Sequence, residues 1–362
     1  MRSDRREGRQ TALRRLLADQ GLDAFLTTHG PNVRYLTGFT GSAALLLVTA
    51  GRAVLITDFR YAEQAPEETG PSADVVVERN DLWESLRKLV ESGPRLRLGF
   101  EQDHLSVRNA ERLNRLEGSE RVPTSDLVEG LRTVKDPDEV EALRAAAELA
   151  QAALAELLPT VRVGQTELEV AAGLEHRLRR RGSEWHPFQT IVASGPRAAL
   201  PHARSGSRPI GRGEWLLLDF GAQLGGYCAD LTRTVVVGAP ADARQREVYE
   251  AVRRAQVAAR EGIRAGMTGR NADALARDLI AEAGFGEAFG HSLGHGIGLE
   301  VHEAPRLSQT SEASLPAGAV VTVEPGIYLT GWGGVRLEDD IHLSSTGPRC
   351  LSDGRTDLLE LP

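Results

Sequence analysis

The chain has 362 residues, a formal net charge of −8 and 41% hydrophobic residues. This length allows two domains with buried cores, and the acidic balance argues against nucleic acid as a partner. No stretch approaches the roughly 18 consecutive apolar residues of a membrane span, the Arg-rich start lacks the apolar core of a signal peptide, and two cysteines form no disulfide framework. We therefore expect a soluble, cytoplasmic protein.

Residues 1–128 show the alternating signals of helices and strands that are typical of an α/β domain with a central sheet. Strands are predicted near residues 22–28, 45–48, 53–56, 75–77 and 96–100. Helices are predicted at the start of the chain and near residues 59–65, 82–89 and 106–116. Residues 129–136 are then expected to link this domain to the next.

Residues 137–362 are expected to form a second domain of mixed helices and sheets. Asp136 reads as a helix N-cap, followed by a proline and then by Glu139 three positions after the cap. Thr166 and Glu169 repeat the capping-box pattern at a second helix. A further pair of helices is predicted near residues 242–262 and 270–283.

The stretch from Trp215 to Val237 predicts a hairpin with an acidic residue on each strand. Apolar residues flank a turn signal at Gln223-Leu224-Gly225-Gly226. With the turn centred between Leu224 and Gly225, Asp219 would face Asp230 across the ladder. Two facing carboxylates repel unless one is protonated or a cation lies between them. The alternative is a pair of acids on a solvated face, although the apolar flanks indicate burial.

A second hairpin leads to the same interpretation. Residues 320–329 read as a bent strand, glycines near Gly331 mark the turn, and residues 335–343 alternate as the return strand. A loop centred on Gly331 would place Glu324 opposite Glu338. Two facing acid pairs on apolar hairpins are harder to explain as solvated surface than one pair is.

Histidines supply the remaining candidate ligands. The glycine-rich run Gly290–His302 contains His291, His295 and His302, without the H-E-x-x-H spacing of zinc proteases. His202 lies in a separate loop, where a histidine is more often structural than catalytic. Four carboxylates and one histidine form a mostly oxygen ligand set, which suits manganese better than a closed structural zinc site. Such a set can balance two divalent cations, and the chemistry that follows is hydrolysis.

The order Asp219, Asp230, His295, Glu324, Glu338 resembles the dinuclear metallopeptidases of the pita-bread fold. Stretches in the first domain, Asn32–Phe39 and Asp58–Tyr61, resemble the N-terminal domain of the branch that acts at proline and of creatinase. The resemblance implies an α/β N-terminal domain followed by an α+β pita-bread catalytic domain. It also implies two divalent metal ions, manganese first and cobalt or zinc as alternatives, and a homodimer.

Roles follow from the resemblance at matched positions. Asp219 would bind one metal, Asp230 and Glu338 would bridge both, and His295 and Glu324 would bind the other. A metal-bridging hydroxide would be the nucleophile, oriented or deprotonated by Glu324. His202 and His302 match two histidines that contact the substrate near the scissile bond. His291, Arg306 and Arg336 match substrate-binding residues, and Arg336 would also support a bridging glutamate.

The resemblance favours an Xaa-Pro dipeptidase (prolidase). Arg306 matches an arginine that reads the free carboxylate of a dipeptide, for which a bidentate guanidinium is suited. The main alternative is aminopeptidase P, which releases the residue before proline from longer peptides, and Arg306 could equally be a surface residue. Methionine aminopeptidase and the metal-free creatinase fit less well. A non-catalytic peptide- or protein-binding module is a further alternative, since this fold also serves in histone chaperones.

Overall fold

The computed structural model describes residues 3–352 and 354–362. The chain divides into two compact units, Met1–Arg132 and Thr133–Pro362. This division lies inside the stretch 129–136 that was expected to link two domains, and the limits drawn from the sequence stay a prediction. Among the described residues, no helix is both long and apolar enough to cross a membrane.

Among its described residues, the first unit contains six α-helices and six strands. The helices are α1 (Ser3–Asp19), α2 (Gly30–Thr37), α3 (Gln64–Thr69), α4 (Leu82–Glu91), α5 (Val107–Asn114) and α6 (Leu127–Thr133), which runs one residue past the division. The strands are β1 (Ala24–Thr27), β2 (Ala44–Thr49), β3 (Ala53–Asp58), β4 (Asp74–Glu78), β5 (Leu96–Glu101) and β6 (Ser119–Thr124).

The six strands form one mixed sheet in the order β4-β3-β2-β1-β5-β6. Strands β1, β2 and β3 pair antiparallel, whereas β4, β5 and β6 join in parallel. Side chains of β1, β2 and β3 pack with Trp83 and Leu86 of α4 in one buried core. The α/β architecture expected for this part of the chain is therefore present.

Helices α2 and α6 and strand β6 of this unit were not anticipated. Helix α2 begins at Gly30 and Pro31, which read as chain breakers, yet proline in the first helical turn gives up no hydrogen bond. Strand β6 contains Pro123 and charged residues, which argue against a strand. Because β6 lies at the edge of the sheet, its proline is tolerated there.

The second unit contains the remaining elements. Its helices are α7 (Pro137–Leu157), α8 (Glu167–Arg180), α9 (Ala243–Gly262) and α10 (Gly269–Glu282). Its strands are β7 (Ile191–Ser194), β8 (Glu214–Phe220), β9 (Gln223–Leu224), β10 (Tyr227–Cys228), β11 (Leu231–Val237), β12 (Gly294–Gly296), β13 (Glu303–Leu307), β14 (Val320–Val323), β15 (Gly326–Leu329), β16 (Gly333–Arg336), β17 (Asp339–Ser344), β18 (Gly347–Cys350) and β19 (Glu360–Leu361).

Local sequence signals set the starts of the long helices. The Asp136 side chain accepts from the backbone at Glu139, and the Glu139 side chain accepts in return from the Asp136 backbone. Thr166 and Glu169 form the same reciprocal capping box at α8. Both boxes satisfy amide groups that a helix start would otherwise leave unpaired, so the two predicted starts are confirmed.

The second unit is built from two helix-and-sheet assemblies. Helices α7 and α8 share a core with the sheet β19-β11-β8-β7, and α9 and α10 share another with strands of the sheet β13-β12-β14-β17-β18. Strand β8 is buried on both faces, with Leu216 and Leu218 in the first core and Trp215 and Leu217 in the second. By alternation, Asp219 lies on the face of Leu217, toward the second assembly.

Candidate metal centre

Asp219 and Asp230 come from the β8–β11 hairpin, but the predicted pairing between them is wrong. Asp219 is opposite Thr232 in the ladder, and Asp230 precedes the first residue of β11. Asp230 therefore lies two positions away from the residue that faces Asp219. Because side chains alternate with a period of two, a difference of two positions keeps both acids on the same face of the hairpin.

The turn explains the difference in pairing. Leu224 pairs with Tyr227, so the turn consists of Gly225 and Gly226, one residue later than the sequence reading placed its centre. Both glycines have positive φ values, 58° and 82°. A two-residue turn that continues the twist of its strands requires positive φ at both positions, which glycine adopts without strain.

The second hairpin has the register that the sequence predicted. Val323 pairs with Asp339, and Gly326 pairs with Arg336. Glu324 and Glu338 therefore lie opposite each other, in the gap between the two paired segments of this hairpin. The Glu338 amide also donates to the Thr232 carbonyl at 3.1 Å, which ties the second hairpin to the first beside Asp230.

His295 reaches the acids from β12, which pairs with β13 and β14. Its Nδ1 lies 3.0 Å from the Gly296 carbonyl, so this nitrogen carries the proton and donates. The other nitrogen, Nε2, lies 3.4 Å from Glu324 Oε1 and 3.9 Å from Asp230 Oδ2. One ligand atom each from Asp230, His295 and Glu338 lies within 4.8 Å of the others.

Burial governs the protonation of this cluster. It raises the pKa of Asp219, Asp230 and Glu338, and the negative charge of neighbouring carboxylates adds to the shift for Asp230 and Glu338. Burial raises the pKa of Glu324 to about 8. It lowers the pKa of His295 to about 4, so this imidazole is neutral at neutral pH and its Nε2 lone pair is available.

The donor set fits divalent cations. Asp219 Oδ1 and Asp230 Oδ1 are buried without a hydrogen-bond partner among the described residues. A buried carboxylate oxygen without a partner is costly, and a cation satisfies it. A cation would also reduce the repulsion among the four carboxylates and could bind the lone pair of the neutral imidazole. These five residues could therefore hold metal ions.

Arg336 organises the acids from one side. Its guanidinium donates to Asp219 Oδ2 at 2.5 Å and to Thr232 Oγ1 at 3.1 Å. The Thr232 hydroxyl in turn donates to Glu338 Oε2 at 2.5 Å. The direct ion pair of Arg336 is thus with Asp219, and its support for Glu338, which the resemblance implied, passes through Thr232.

Two further predicted residues lie at the edge of the cluster. The ring centroids of His302 and His295 are 4.3 Å apart, and His302 is exposed. His202 is exposed in a turn. Burial raises the pKa of Asp219, and the charges of Arg336, His202 and His302 partly oppose this effect.

His291 and Arg306 complete the predicted set. His291 Nδ1 donates to the Ser292 carbonyl, and its Nε2 accepts from the Tyr328 hydroxyl, both at 2.8 Å. Burial lowers the pKa of His291 to about 4. Arg306 is exposed on β13 and pairs with His295 across the ladder, so it lies next to the cluster without contacting its acids.

Comparison with known proteins identifies the family. Residues 141–345 match the model described as metallopeptidase family M24, which is more than half of the chain. The chain belongs to metallopeptidase family M24. Residues 9–134 of this peptidase match the creatinase/prolidase N-terminal domain. It is 43% identical to an uncharacterized peptidase, YqhT, from Bacillus subtilis, over 96% of this chain and 99% of that protein.

Solved structures agree with this assignment. The M24 peptidase is similar to an Xaa-Pro dipeptidase from Bacillus anthracis, with 42% identity, a TM-score of 0.94, and coverage of 98% of this chain and 100% of that one. It is also similar to an X-Pro aminopeptidase from Thermotoga maritima, with 38% identity, a TM-score of 0.89, and coverage of 94% and 98%. The expected architecture, an α/β domain followed by a pita-bread catalytic domain, is confirmed, and the protein is a peptide hydrolase.

Three residues of this M24 peptidase that contribute to the site were missed in the sequence. Thr232 and Tyr328 link Arg336 to Glu338 and to His291. Asp340 is fully buried and accepts from the Asp230 amide at 3.2 Å. Hydroxyl residues on strands are too common to stand out. The run Glu338-Asp339-Asp340 was a signal, because consecutive acids in an apolar strand need partners.

Proposed function

We propose that this M24 peptidase is an Xaa-Pro dipeptidase that uses two divalent cations, with manganese as the preferred ion. The observation that carries the proposal is the convergence of Asp219, Asp230, His295, Glu324 and Glu338 in one buried cluster with unpaired carboxylate oxygens. The relative from Bacillus anthracis, whose description is Xaa-Pro dipeptidase, supports the choice of substrate.

The five residues would share the cations as the resemblance implies. Asp219 would hold one ion, Asp230 and Glu338 would contact both, and His295 and Glu324 would hold the other. Bound divalent cations supply Lewis-acid polarisation of the scissile carbonyl and a lowered pKa for water in the site. The oxygen-rich donors favour manganese over a softer ion, with cobalt and zinc as alternatives.

The protein groups around the cations would handle protons and orientation. A bound cation would offset the burial that raises the pKa of Glu324, so the ionised carboxylate could accept a proton from the attacking water. His202 and His302, both exposed beside Asp219, could donate hydrogen bonds to the peptide near the scissile bond. Arg336 would hold Asp219 in place through their direct ion pair.

Selection of a dipeptide would depend on Arg306. Arg306 is exposed and pairs with His295 across the β12–β13 ladder, and its charge lowers the pKa of His295 and His302 after the larger effect of burial. A free carboxylate after proline can pair with such a group in a bidentate manner. Both ring nitrogens of His291 are hydrogen-bonded, so its imidazole would form a fixed side of the proline pocket.

A second candidate is release of the residue before proline from longer peptides. The similarity to the Thermotoga maritima X-Pro aminopeptidase supports it. The test is to compare hydrolysis of Ala-Pro, Ala-Pro-Ala and Met-Ala-Ala with added manganese. A dipeptidase should cleave Ala-Pro most efficiently. Faster cleavage of Ala-Pro-Ala would favour the aminopeptidase, and preference for Met-Ala-Ala would overturn both.

Other expectations from the sequence stay part of this proposal. The resemblance supports a homodimer, which light scattering after gel filtration would test against the monomer mass of 39.1 kDa. It also supports a cytoplasmic location. A non-catalytic binding module is disfavoured by the complete set of five candidate ligands, and a purified chain that binds no divalent ion would revive that alternative.

A further inference from the structure

A second group of potential metal ligands lies in the N-terminal unit. His29 directly precedes helix α2, His104 follows strand β5, and Glu129 is in helix α6. One ligand atom from each of these three residues lies within 4.8 Å of the other two. All three belong to the unit that ends at Arg132, whereas the ligands of the M24 centre lie in the other unit.

The two imidazoles lie directly beside each other. The rings of His29 and His104 stack with centroids 3.7 Å apart and an interplanar angle of 14°. Each ring has a nitrogen that can bind a metal, and one ring would turn out of the stack to place an ion in the plane of both.

The distance from histidine to carboxylate also suits a metal. His104 Nε2 lies 3.1 Å from Glu129 Oε1. Around a tetrahedral zinc ion, with bonds near 2.0–2.1 Å, neighbouring ligand atoms are separated by about 3.3 Å. These two side chains are thus already near the spacing of ligands on one ion.

A buried acid adds negative charge behind this group. Glu101 is only 6% exposed, and its Oε2 has no hydrogen-bond partner among the described residues. The Asn32 amide nitrogen donates to Glu101 Oε1 at 2.6 Å and to Glu129 Oε1 at 2.5 Å. Two carboxylates therefore share one amide group. Burial raises the pKa of Glu101, and the charge of Glu129 raises it further, an effect that a cation would offset.

The orientation of that amide is fixed. Arg132 donates to Asn32 Oδ1 at 2.8 Å, so the amide nitrogen must be the end that meets the two glutamates. Asn32 thus holds Glu129 beside the histidines. The position of the carboxylate does not depend on its contact with His104 alone.

We propose that His29, His104 and Glu129 form a second divalent-cation site, of the zinc class, with Glu101 as a supporting charge. Two imidazoles and one carboxylate are ligands that zinc accepts, with a fourth position left for water. The oxygen-rich M24 centre would select a harder ion. The proposal does not rest on the peptidase activity.

Zinc uptake by the full-length chain tests this site. The chain is stripped with a chelator, and bound zinc is measured by equilibrium dialysis for the unaltered protein, His29→Ala/His104→Ala and Glu129→Gln. The control is His176→Ala, which removes an exposed histidine on α8. The M24 centre contributes equally to all four proteins, so only their differences report the new site.

The unaltered chain should bind one zinc ion more than the double histidine variant, and Glu129→Gln should weaken that ion at least tenfold. His176→Ala should have no effect. His104→Ala alone, at the more exposed position, keeps the test valid if the double variant does not fold, and it should also weaken zinc. Equal zinc binding by the unaltered chain and these variants would overturn the site. The difference should persist in Asp230→Ala, so its loss is distinguishable from failure of the proposed peptidase centre.

Discussion

At the scale of single residues, the centre depends on carboxylates that burial and mutual repulsion would keep protonated without a cation. Asp230 and Glu338 carry the clearest conflict, since each is buried and each raises the cost of charging its neighbours. Their neutralisation by metal is therefore the interaction on which activity should depend most. Glu338 is further fixed by the Thr232 hydroxyl.

Glu338→Gln should lower both metal content and kcat/KM. The substitution keeps the size of the side chain but removes the charge that would contact both ions. The loss should exceed the roughly 10–100-fold effect of residues that only support a ligand. Metal analysis and dipeptide hydrolysis measure it, with the exposed Asp278→Asn on α10 as control. Full activity with a normal metal content would contradict the assignment.

Arg306→Ala should raise KM for dipeptides more than for tripeptides. The side chain is placed to meet a free carboxylate directly after proline, which a tripeptide lacks at that position. Steady-state kinetics on Ala-Pro and Ala-Pro-Ala measure the difference, with the exposed Arg349→Ala as control. Equal changes for both substrates would remove the reason for preferring a dipeptidase.

The stability of the metal-free protein should fall as pH rises from 6.5 to 8. Burial raises the pKa of Glu324 from 4.5 to about 8, so the folded state keeps a proton that the unfolded state has lost. The stabilisation that results from this raised pKa is lost as the pH rises through the pKa of Glu324 in the folded state. Burial lowers the pKa of His295 to about 4, so this group destabilises the folded state at low pH, and the effect fades just above pH 6.5, at the lower end of this window.

Manganese should therefore raise the melting temperature more at pH 8 than at pH 6.5, because binding displaces fewer protons at the higher pH. Differential scanning fluorimetry with and without manganese measures both trends. An increase in stability between pH 6.5 and 8 without metal would show that the buried acids are not the groups that titrate.

At the scale of elements, the loop between β12 and β13 contains His302, and a buried ion pair holds this loop in place. Lys135, just before the N-cap of α7, lies 3.1 Å from Glu303, and their side chains are 1% and 6% exposed. The other oxygen of Glu303 accepts from the Glu300 amide at 3.1 Å, which closes the loop. The start of one helix thus fixes a loop next to the candidate metal centre.

Lys135→Met should destabilise the protein by about 3–5 kcal/mol, because it leaves a buried carboxylate without its partner. Restoring neutrality with Glu303→Gln in the same chain should recover part of the loss. Denaturant unfolding measures both. Lys88→Met is a matched control, since Lys88 is the only other lysine of the chain and its side chain is 66% exposed. Equal effects of the two lysine variants would show that the Lys135–Glu303 ion pair does not stabilise this loop.

At the scale of the whole molecule, the candidate M24 metal centre is confined to one of the two units. All five candidate ligands of the M24 centre lie in the unit Thr133–Pro362, and they join its two helix-and-sheet assemblies. Asp219 and Asp230 belong to one assembly, and His295, Glu324 and Glu338 to the other. A cation shared by both should therefore stabilise this unit as a whole.

Removal of manganese from protein loaded with manganese alone should loosen the second unit selectively. Without cations the two hairpins keep their acids together against repulsion, so amide hydrogen exchange should increase in β8, β11, β14 and β17. The sheet β1–β3 of the first unit contributes no ligand and serves as an internal control. Exchange measured by mass spectrometry with and without manganese tests this. A uniform increase in both units would mean that the metal acts on the whole chain.

Much of this architecture follows from local signals that act over a few residues. Capping boxes at Asp136 and Thr166 determine helix starts because the side chains satisfy nearby backbone amides. The three-residue loop around Gly331 determines the register of the second hairpin, and hence the opposition of Glu324 and Glu338. The hairpin patterns also pointed to the four candidate carboxylates, whereas the choice of His295 came from the resemblance.

Only the tertiary structure decided which of these groups meet. The pairing of Asp219 with Thr232 depends on a turn one residue from the assumed centre, and the contact of Arg336 with Asp219 joins elements far apart in sequence. The same holds for the pair of Lys135 with Glu303 and for the stacking of His29 on His104. Local patterns determine which face a side chain occupies, but distances between elements and protonation in a buried cluster depend on how the whole chain packs.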